Sequence, residues 1–247
     1  MWSSLRLALL LLGAIALWWF MTVAPIFKSV APASAVSERI LANESFKLSA
    51  LRETLALIER EPAFVIVEPA IARAQALVRL TLADTISRSR VSEDTDGEAA
   101  RTISNLRYSL SLNPADSALW LMLYSVQTSY AGLNPSDARL LEASYVTGPL
   151  EGAVALRRSP VALAGFEAIS SSTQELALRE FVELVDAEFT EQAAQALVHA
   201  GPKLRAQLAE QLKFAALSAR KRLAQRLVAE GVKIPIPGIV LDQRHWK

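Results

Sequence analysis

Between Arg6 and Lys28 the chain carries no charged residue, and Leu7 to Val23 is almost wholly apolar. As an α-helix rising about 1.5 Å per residue, the uncharged run reaches roughly 30 Å, the thickness of a bilayer's hydrocarbon core. Trp2 and the cluster Trp18, Trp19 and Phe20 lie towards its two ends, where amphipathic rings favour the headgroup boundary. Residues 1–27 are therefore expected to form an N-terminal membrane anchor, with residues 7–23 in the lipid. The competing reading is a cleaved secretory signal, because Ala33-Ser34-Ala35 has the small-x-small form of a cleavage site. The apolar run is longer than the roughly 7–15 residues of a signal core. Lys28 and Pro32 also hold the triplet away from its end, so the anchor is preferred. On either reading the rest of the chain is exported. Arg6 and the terminal amine precede the span, while Lys28 and Arg39 follow it, so local positive charge hardly sets the orientation. The very short N-terminal tail favours a cytoplasmic N-terminus and an external C-terminal part.

Residues 28–36 belong to a stretch rich in Pro, Ala and Ser and read as a linker. From there to residue 232 the periodicity is helical. Leu41, Leu48, Leu51, Leu55 and Ile58 make one apolar stripe, and Ile71, Ala74, Leu77, Val78 and Leu82 mark a second helix. Pro62 and Pro69 bracket Phe64-Val65-Ile66-Val67, an extended piece or a buried corner. The acidic connector 92–98 leads into a helix carrying Ala99, Ile103, Leu106 and Leu110, with Thr95 and Glu98 at capping-box spacing. Two phrases then repeat, Leu112-Asn113-Pro114-Ala115-Asp116 and Leu133-Asn134-Pro135-Ser136-Asp137. Each reads as a helix start: Asn at the N-cap, Pro at the first helical position, and Asp near the positive helix end. Helices are expected after each phrase, ending at Gly132 and Gly148, then over 149–158, 160–170 and 173–187, the last with Ser172 and Glu175 at capping-box spacing. The longest is expected to start near Pro202, with Leu204, Leu208, Leu212, Ala216, Ala219, Leu223 and Leu227 on one face. Residues 233–247 contain Pro235 and Pro237 and read as an extended tail. The expected class is all-α.

The side chains restrict the chemistry. The chain has no cysteine, which removes disulfides, thiolate nucleophiles and cysteine-ligated metals. His199 and His245 stand alone, with no paired ligand spacing. His199 adjoins Gly201-Pro202 and reads as a helix C-terminal residue facing the dipole. No G-x-S-x-G elbow, no credible S-x-x-K motif and no glycine-rich phosphate loop is present. Asp186 with Glu188, and Glu93 with Asp94 and Asp96, read as solvated connectors. No enzyme activity and no cofactor or metal is expected, and a net charge of +1 predicts no strong global attraction to nucleic acid or to anionic lipid.

The C-terminal part is the strongest charge asymmetry. Lys213, Arg220, Lys221 and Arg222 are candidates for binding an acidic partner, anionic glycan or lipid headgroups, against the plainer reading of a solvated helix face. Trp120 and Tyr124 are candidates for lining a peptide groove, with core packing of Trp120 as the plainer reading.

The stretch 84–149 resembles a degenerate tetratricopeptide repeat. Trp120 and Leu123 occupy first-helix positions, Leu140 and Ala143 fall near second-helix positions, and Pro149 closes the unit 35 residues after Pro114. Tyr124 stands where such repeats usually carry Gly, and Ser136 where they carry Ala. The anchor, the helical region and Trp120 to Arg158, with Gly148 to Arg158 following a tyrosine-containing helix, look similar to bacterial envelope proteins of exopolysaccharide synthesis or export. The resemblance implies a single-pass inner-membrane accessory protein whose helical-hairpin domain, residues 37–232, faces the periplasm. The expected function is a scaffold that binds a protein partner; the alternative is direct binding of anionic glycan or lipid through the basic C-terminal helix.

Overall fold

A computed structural model of the chain describes residues 2–42, 44, 46–60, 69–89, 95–132 and 134–240. Within these, the side chains of residues 2–5, 7–8, 22–33, 60, 87–89, 95–96 and 135 are not among those described. The described chain is all-α, with no strand. Eleven α-helices run in order: α1 Trp2–Leu41, α2 Leu48–Arg60, α3 Pro69–Ser89, α4 Thr95–Leu112, α5 Ser117–Ala131, α6 Ala138–Thr147, α7 Gly152–Ala164, α8 Ser171–Asp186, α9 Thr190–His199, α10 Pro202–Gln211 and α11 Leu217–Ala229. Short 3-10 turns cover Pro135–Asp137, Phe166–Ala168 and Leu212–Phe214.

The helices form two compact units, Met1–Pro114 and Ala115–Lys247, so the helical region 37–232 divides at Pro114. In the first unit α3 packs on α1, α2 and α4. Its small residues Ala74 and Ala76, with Leu77 and Val78, have no exposed surface, which lets the neighbouring helices approach closely. Residues 28–36, read as a linker, lie inside the continuous helix α1. The stripe from Leu41 to Ile58 is interrupted after Leu41 and resumes as α2 at Leu48. Counted over the described residues, no helix is long and apolar enough to cross a membrane. The described side chains of the apolar run are those of residues 9–21, and every one is exposed. The Phe64–Val67 corner and residues 241–247 lie outside the described residues, as do residues 92–94 of the connector and the side chain of Thr95; residues 95–98 open α4.

In the second unit α5 is the most enclosed element, with Leu119, Leu121, Met122, Leu123, Tyr124 and Val126 buried. It packs on α6 and α7, while α8 packs on α7, α9, α10 and α11. Each buried leucine contributes about 1.5–3 kcal/mol of transfer free energy.

The two repeated phrases behave differently. Asn134 caps the 3-10 turn that Pro135 opens, its side-chain oxygen accepting from the Ser136 amide at 3.0 Å, but the α-helix α6 starts only after Asp137. Asn113 does not cap. Asp116 does, accepting from the Leu119 amide at 3.2 Å, because Asn113-Pro114 is consumed in ending α4. Likewise Ser170, not Ser172, caps α8, accepting from the Thr173 amide.

Pro160 does not separate two helices; it sits inside α7. There it is exposed and lines an open cleft, so the backbone donor it removes is lost where water reaches. The expected long helix from Pro202 is two helices joined by Leu212–Phe214. No Gly or Pro breaks it. The Ala216 amide instead donates to the Asp186 carboxylate at 2.8 Å, and the bend carries Leu208, Leu212, Leu223 and Leu227 into the core. The tail after Gly231 is non-helical over its described length, but Ile234 and Ile236 are buried.

Candidate functional site

The chemically densest place in the described chain is a buried ionic cluster in the second unit. On α7, Val154, Ala155, Ser159 and Ala162 are buried on one stripe, and Arg158 falls on that stripe. On α8, Thr173, Ala177, Phe181 and Leu184 are buried, and Glu180 lies among them. Arg158 and Glu180 meet in an ion pair whose side chains are 0% and 1% exposed. Burying two charges costs several kcal/mol each unless every donor finds a partner. Here each does. The Arg158 Nε donates to Glu180 at 3.1 Å, Nη1 to the Ser144 carbonyl at 2.6 Å, and Nη2 to the Gly148 carbonyl at 3.1 Å as well as to Glu180.

The guanidinium also stacks 4.0 Å from the centroid of the Tyr145 ring, and the Tyr145 hydroxyl donates to Glu180 at 3.2 Å. Burial, and then the neighbouring Glu180 charge, push the Tyr145 hydroxyl well above its ordinary pKa. Burial also pushes the Glu180 carboxyl upward, and Arg158 and Tyr145 pull it back. With two guanidinium donors on it, Glu180 is held as the carboxylate.

The network extends to α5. The Ser144 hydroxyl donates to the Ser117 carbonyl at 2.8 Å, and the Ser117 hydroxyl donates to Glu151 at 2.5 Å. Gly148 ends α6 at this crossing, and a Cβ there would stand 2.5 Å from the Ser117 Cβ. Only glycine fits so close an approach. A cluster sealed from solvent and fully paired offers no free nucleophile and no room for a substrate. What it does is fix α5, α6, α7 and α8 relative to one another.

The residues singled out from sequence lie elsewhere. Tyr124 is buried, so it lines no open groove; burial and then the Asp137 carboxylate raise its hydroxyl pKa. Trp120 is half-buried on α5. Of the four basic candidates, Lys213 pairs with Glu210 at 3.2 Å and Arg222 with Glu188 at 2.9 Å. Arg220 donates to the Pro237 carbonyl, tying the tail to α11. Lys221 is exposed and makes no ion pair among the described residues. These four are not gathered into a single binding pocket. His199 ends α9 with Nδ1 2.8 Å from the Gln195 carbonyl, in keeping with a helix-terminal role. Among the described residues no group of three or more His, Asp or Glu is placed to hold a metal ion.

Sequence reading passed over the Arg158–Glu180 pair, although a signal exists. Each is a charged residue at core spacing on an otherwise apolar stripe, three or four residues from buried neighbours on the same helix.

Beside the cluster, α7, α8, α9 and α10 border an apolar cleft of about 290 Å³. Leu156, Pro160 and Leu163 form one wall, and Ala196 and Leu204 lie opposite, with Gln195 and His199 among its few polar groups. Arg205 holds the α9–α10 corner by donating to the carbonyls of Leu197, Val198 and Ala200 at 2.8–2.9 Å. The cleft is therefore a built depression between fixed helices. No protein-family model, no curated protein and no solved structure matches the chain.

Proposed function

We propose that the chain is a non-enzymatic, membrane-anchored helical scaffold that docks a protein partner in a bacterial envelope complex, in the setting of exopolysaccharide synthesis or export. The observation that carries the docking reading is the apolar cleft bordered by α7 to α10. Apolar depressions with a few polar groups at the edge suit an anchoring side chain of a partner. The fully paired Arg158–Glu180 cluster behind it supplies the rigidity such a surface needs.

The anchor reading is supported by α1. Leu9, Leu10, Leu11, Leu12, Ile15, Leu17 and Phe20 are each more than half exposed along one helix. A helix apolar on all sides is stable when lipid or protein surrounds it. In this reading residues 7–23 span the inner membrane once, the helical-hairpin region lies in the periplasm, and the hairpins are tetratricopeptide-like.

Purification of the full-length chain from its native membrane in mild detergent, with mass spectrometry of what accompanies it, tests the scaffold. A stoichiometric protein partner is expected. Gln195→Trp is exposed at the cleft and would fill it without entering the core, so the same partner should be lost. A chain that comes down alone in repeated preparations refutes the docking reading. Retention of the partner by Gln195→Trp moves the docking place away from the cleft.

A further inference from the structure

The corner between α10 and α11 exposes large apolar side chains that the fold does not use. Leu212 is fully buried and Ala215 nearly so, and these two pin the turn to the core. The residues between and after them point outward: Phe214 is 68% exposed and Leu217 48%. Lys213 lies 5.1 Å from the centroid of the Phe214 ring. Lys221 stands one helical turn beyond Leu217, on the same face of α11. The corner thus presents two apolar tips with a lysine on either side.

The acidic side chains around the corner have partners: Glu191 of α9 pairs with Arg226 at 2.6 Å. Glu210 pairs with Lys213, Glu188 with Arg222, and Asp186 accepts from the Ala216 amide. Arg220 is committed to the Pro237 carbonyl. Lys221 is left unpaired among the described residues. Residues 203–240 carry eight basic residues, Lys203, Arg205, Lys213, Arg220, Lys221, Arg222, Arg226 and Lys233, and two acidic ones, Glu210 and Glu230. From outside that stretch Glu167, Glu188 and Glu191 pair with Lys203, Arg222 and Arg226, which leaves the basic side in excess.

We propose that this corner is a peripheral contact with an anionic membrane surface, in which Phe214 and Leu217 enter the headgroup boundary while Lys213 and Lys221 meet lipid phosphates. The choice of a membrane over a protein rests on size and charge. Two side chains offer a few hundred Å² at most. A stable protein interface needs about 800 Å² from each partner. An interfacial contact needs only protruding apolar tips with basic residues beside them. The contact is distinct from the partner-binding cleft, and it would give the second unit a hold on lipid independent of α1.

The absence of cysteine makes the test direct. Ser218→Cys, at an exposed position next to Leu217, supplies a single thiol for an environment-sensitive fluorophore on the full-length chain. The labelled chain is mixed with vesicles of phosphatidylethanolamine and phosphatidylglycerol, or of phosphatidylcholine alone, some carrying nitroxide on the acyl chain, and floated on a density gradient. In the phosphatidylglycerol vesicles, a loss of emission of about twofold to nitroxide is expected, weakening at high salt. A label at Val146→Cys, 69% exposed on α6, should not respond. Adding Phe214→Ala and Leu217→Ala, both at exposed positions that leave the core untouched, should abolish the quenching at position 218.

Quenching at 218 no greater than at 146 overturns the proposal. So does a label that is shielded in native membranes but open in pure lipid, because a protein would then cover the corner. Flotation separates this contact from the anchor. A chain that floats on both vesicle types with position 218 unquenched keeps the anchor and loses the corner. A chain that floats only with phosphatidylglycerol, and is released by salt, loses the anchor and keeps the corner. Flotation on neither removes both.

Discussion

Two arginine–glutamate pairs in the second unit join the same functional groups and do different work. Arg158 and Glu180 are sealed, with every guanidinium nitrogen bonded to protein. Arg222 and Glu188, 2.9 Å apart, keep 42% and 67% of their side-chain surface in water. In the first, the alternative to pairing is a buried charge; in the second it is hydration. A short distance therefore says little about strength until the surroundings are known.

The largest expected effect is removal of one partner of the sealed pair. Arg158→Ala leaves the Glu180 carboxylate buried and unpaired, and should cost about 3–5 kcal/mol in chemical denaturation. Replacing both partners, with Arg158→Met and Glu180→Leu, should restore most of that loss, since the penalty belongs to the orphaned charge and not to the missing attraction. A double variant as unstable as Arg158→Ala would break the comparison and show that the links to Ser144 and Gly148 dominate.

Tyr145→Phe removes one hydrogen bond to Glu180 and should cost about 1 kcal/mol near neutral pH. It should also alter the alkaline limb of stability. Tyr145 is an acid whose folded pKa lies above its ordinary value near 10, so the unfolded chain gives up the proton first. Stability from this group is whole below pH 10 and declines above it, and melting temperatures measured across that range should fall less steeply in Tyr145→Phe. The smallest effect is expected from Arg222→Ala, about 0.5 kcal/mol or less and shrinking with added salt.

Much of the helical order is legible in the sequence, because apolar spacing and proline positions act locally. The Asn134-Pro135 start is an instance, satisfied within its own turn. What stays hidden depends on distant partners. Asn113-Pro114 and Asn134-Pro135 have the same local chemistry, yet the first ends one helix and leaves capping to Asp116, three residues on. The bend at Leu212–Phe214 has no local breaker; it exists because Asp186, thirty residues earlier, takes the Ala216 amide. Continuity of α1 through Pro25 and Pro32 runs against the disruption that internal proline brings to a helix.

The central cluster was hidden for a related reason. Arg157 and Arg158 are adjacent and identical in type, and only the placement of α8 decides that Arg158 is the buried one. Glu180 sits between Arg179 and Phe181 and reads as half of an ordinary helix-surface charge pattern until its burial is seen. Tyr124 and Tyr145 show the same limit: neither spacing nor residue type reveals which aromatic is buried beside a carboxylate alone and which stacks on a cation.

The close approach at Gly148 has a consequence for how the chain reaches its final arrangement. Helices with small apolar faces can slide past one another by a turn and still bury comparable area, so apolar packing alone discriminates poorly between registers. A guanidinium that must meet two carbonyls, one carboxylate and one ring tolerates no such slip. With α6 displaced by one turn against α7, Arg158 would keep Glu180 but lose the Ser144 and Gly148 carbonyls and the Tyr145 ring, leaving buried donors without partners. The cluster works as a proofreading mark, penalising near-miss packings more than it rewards the right one.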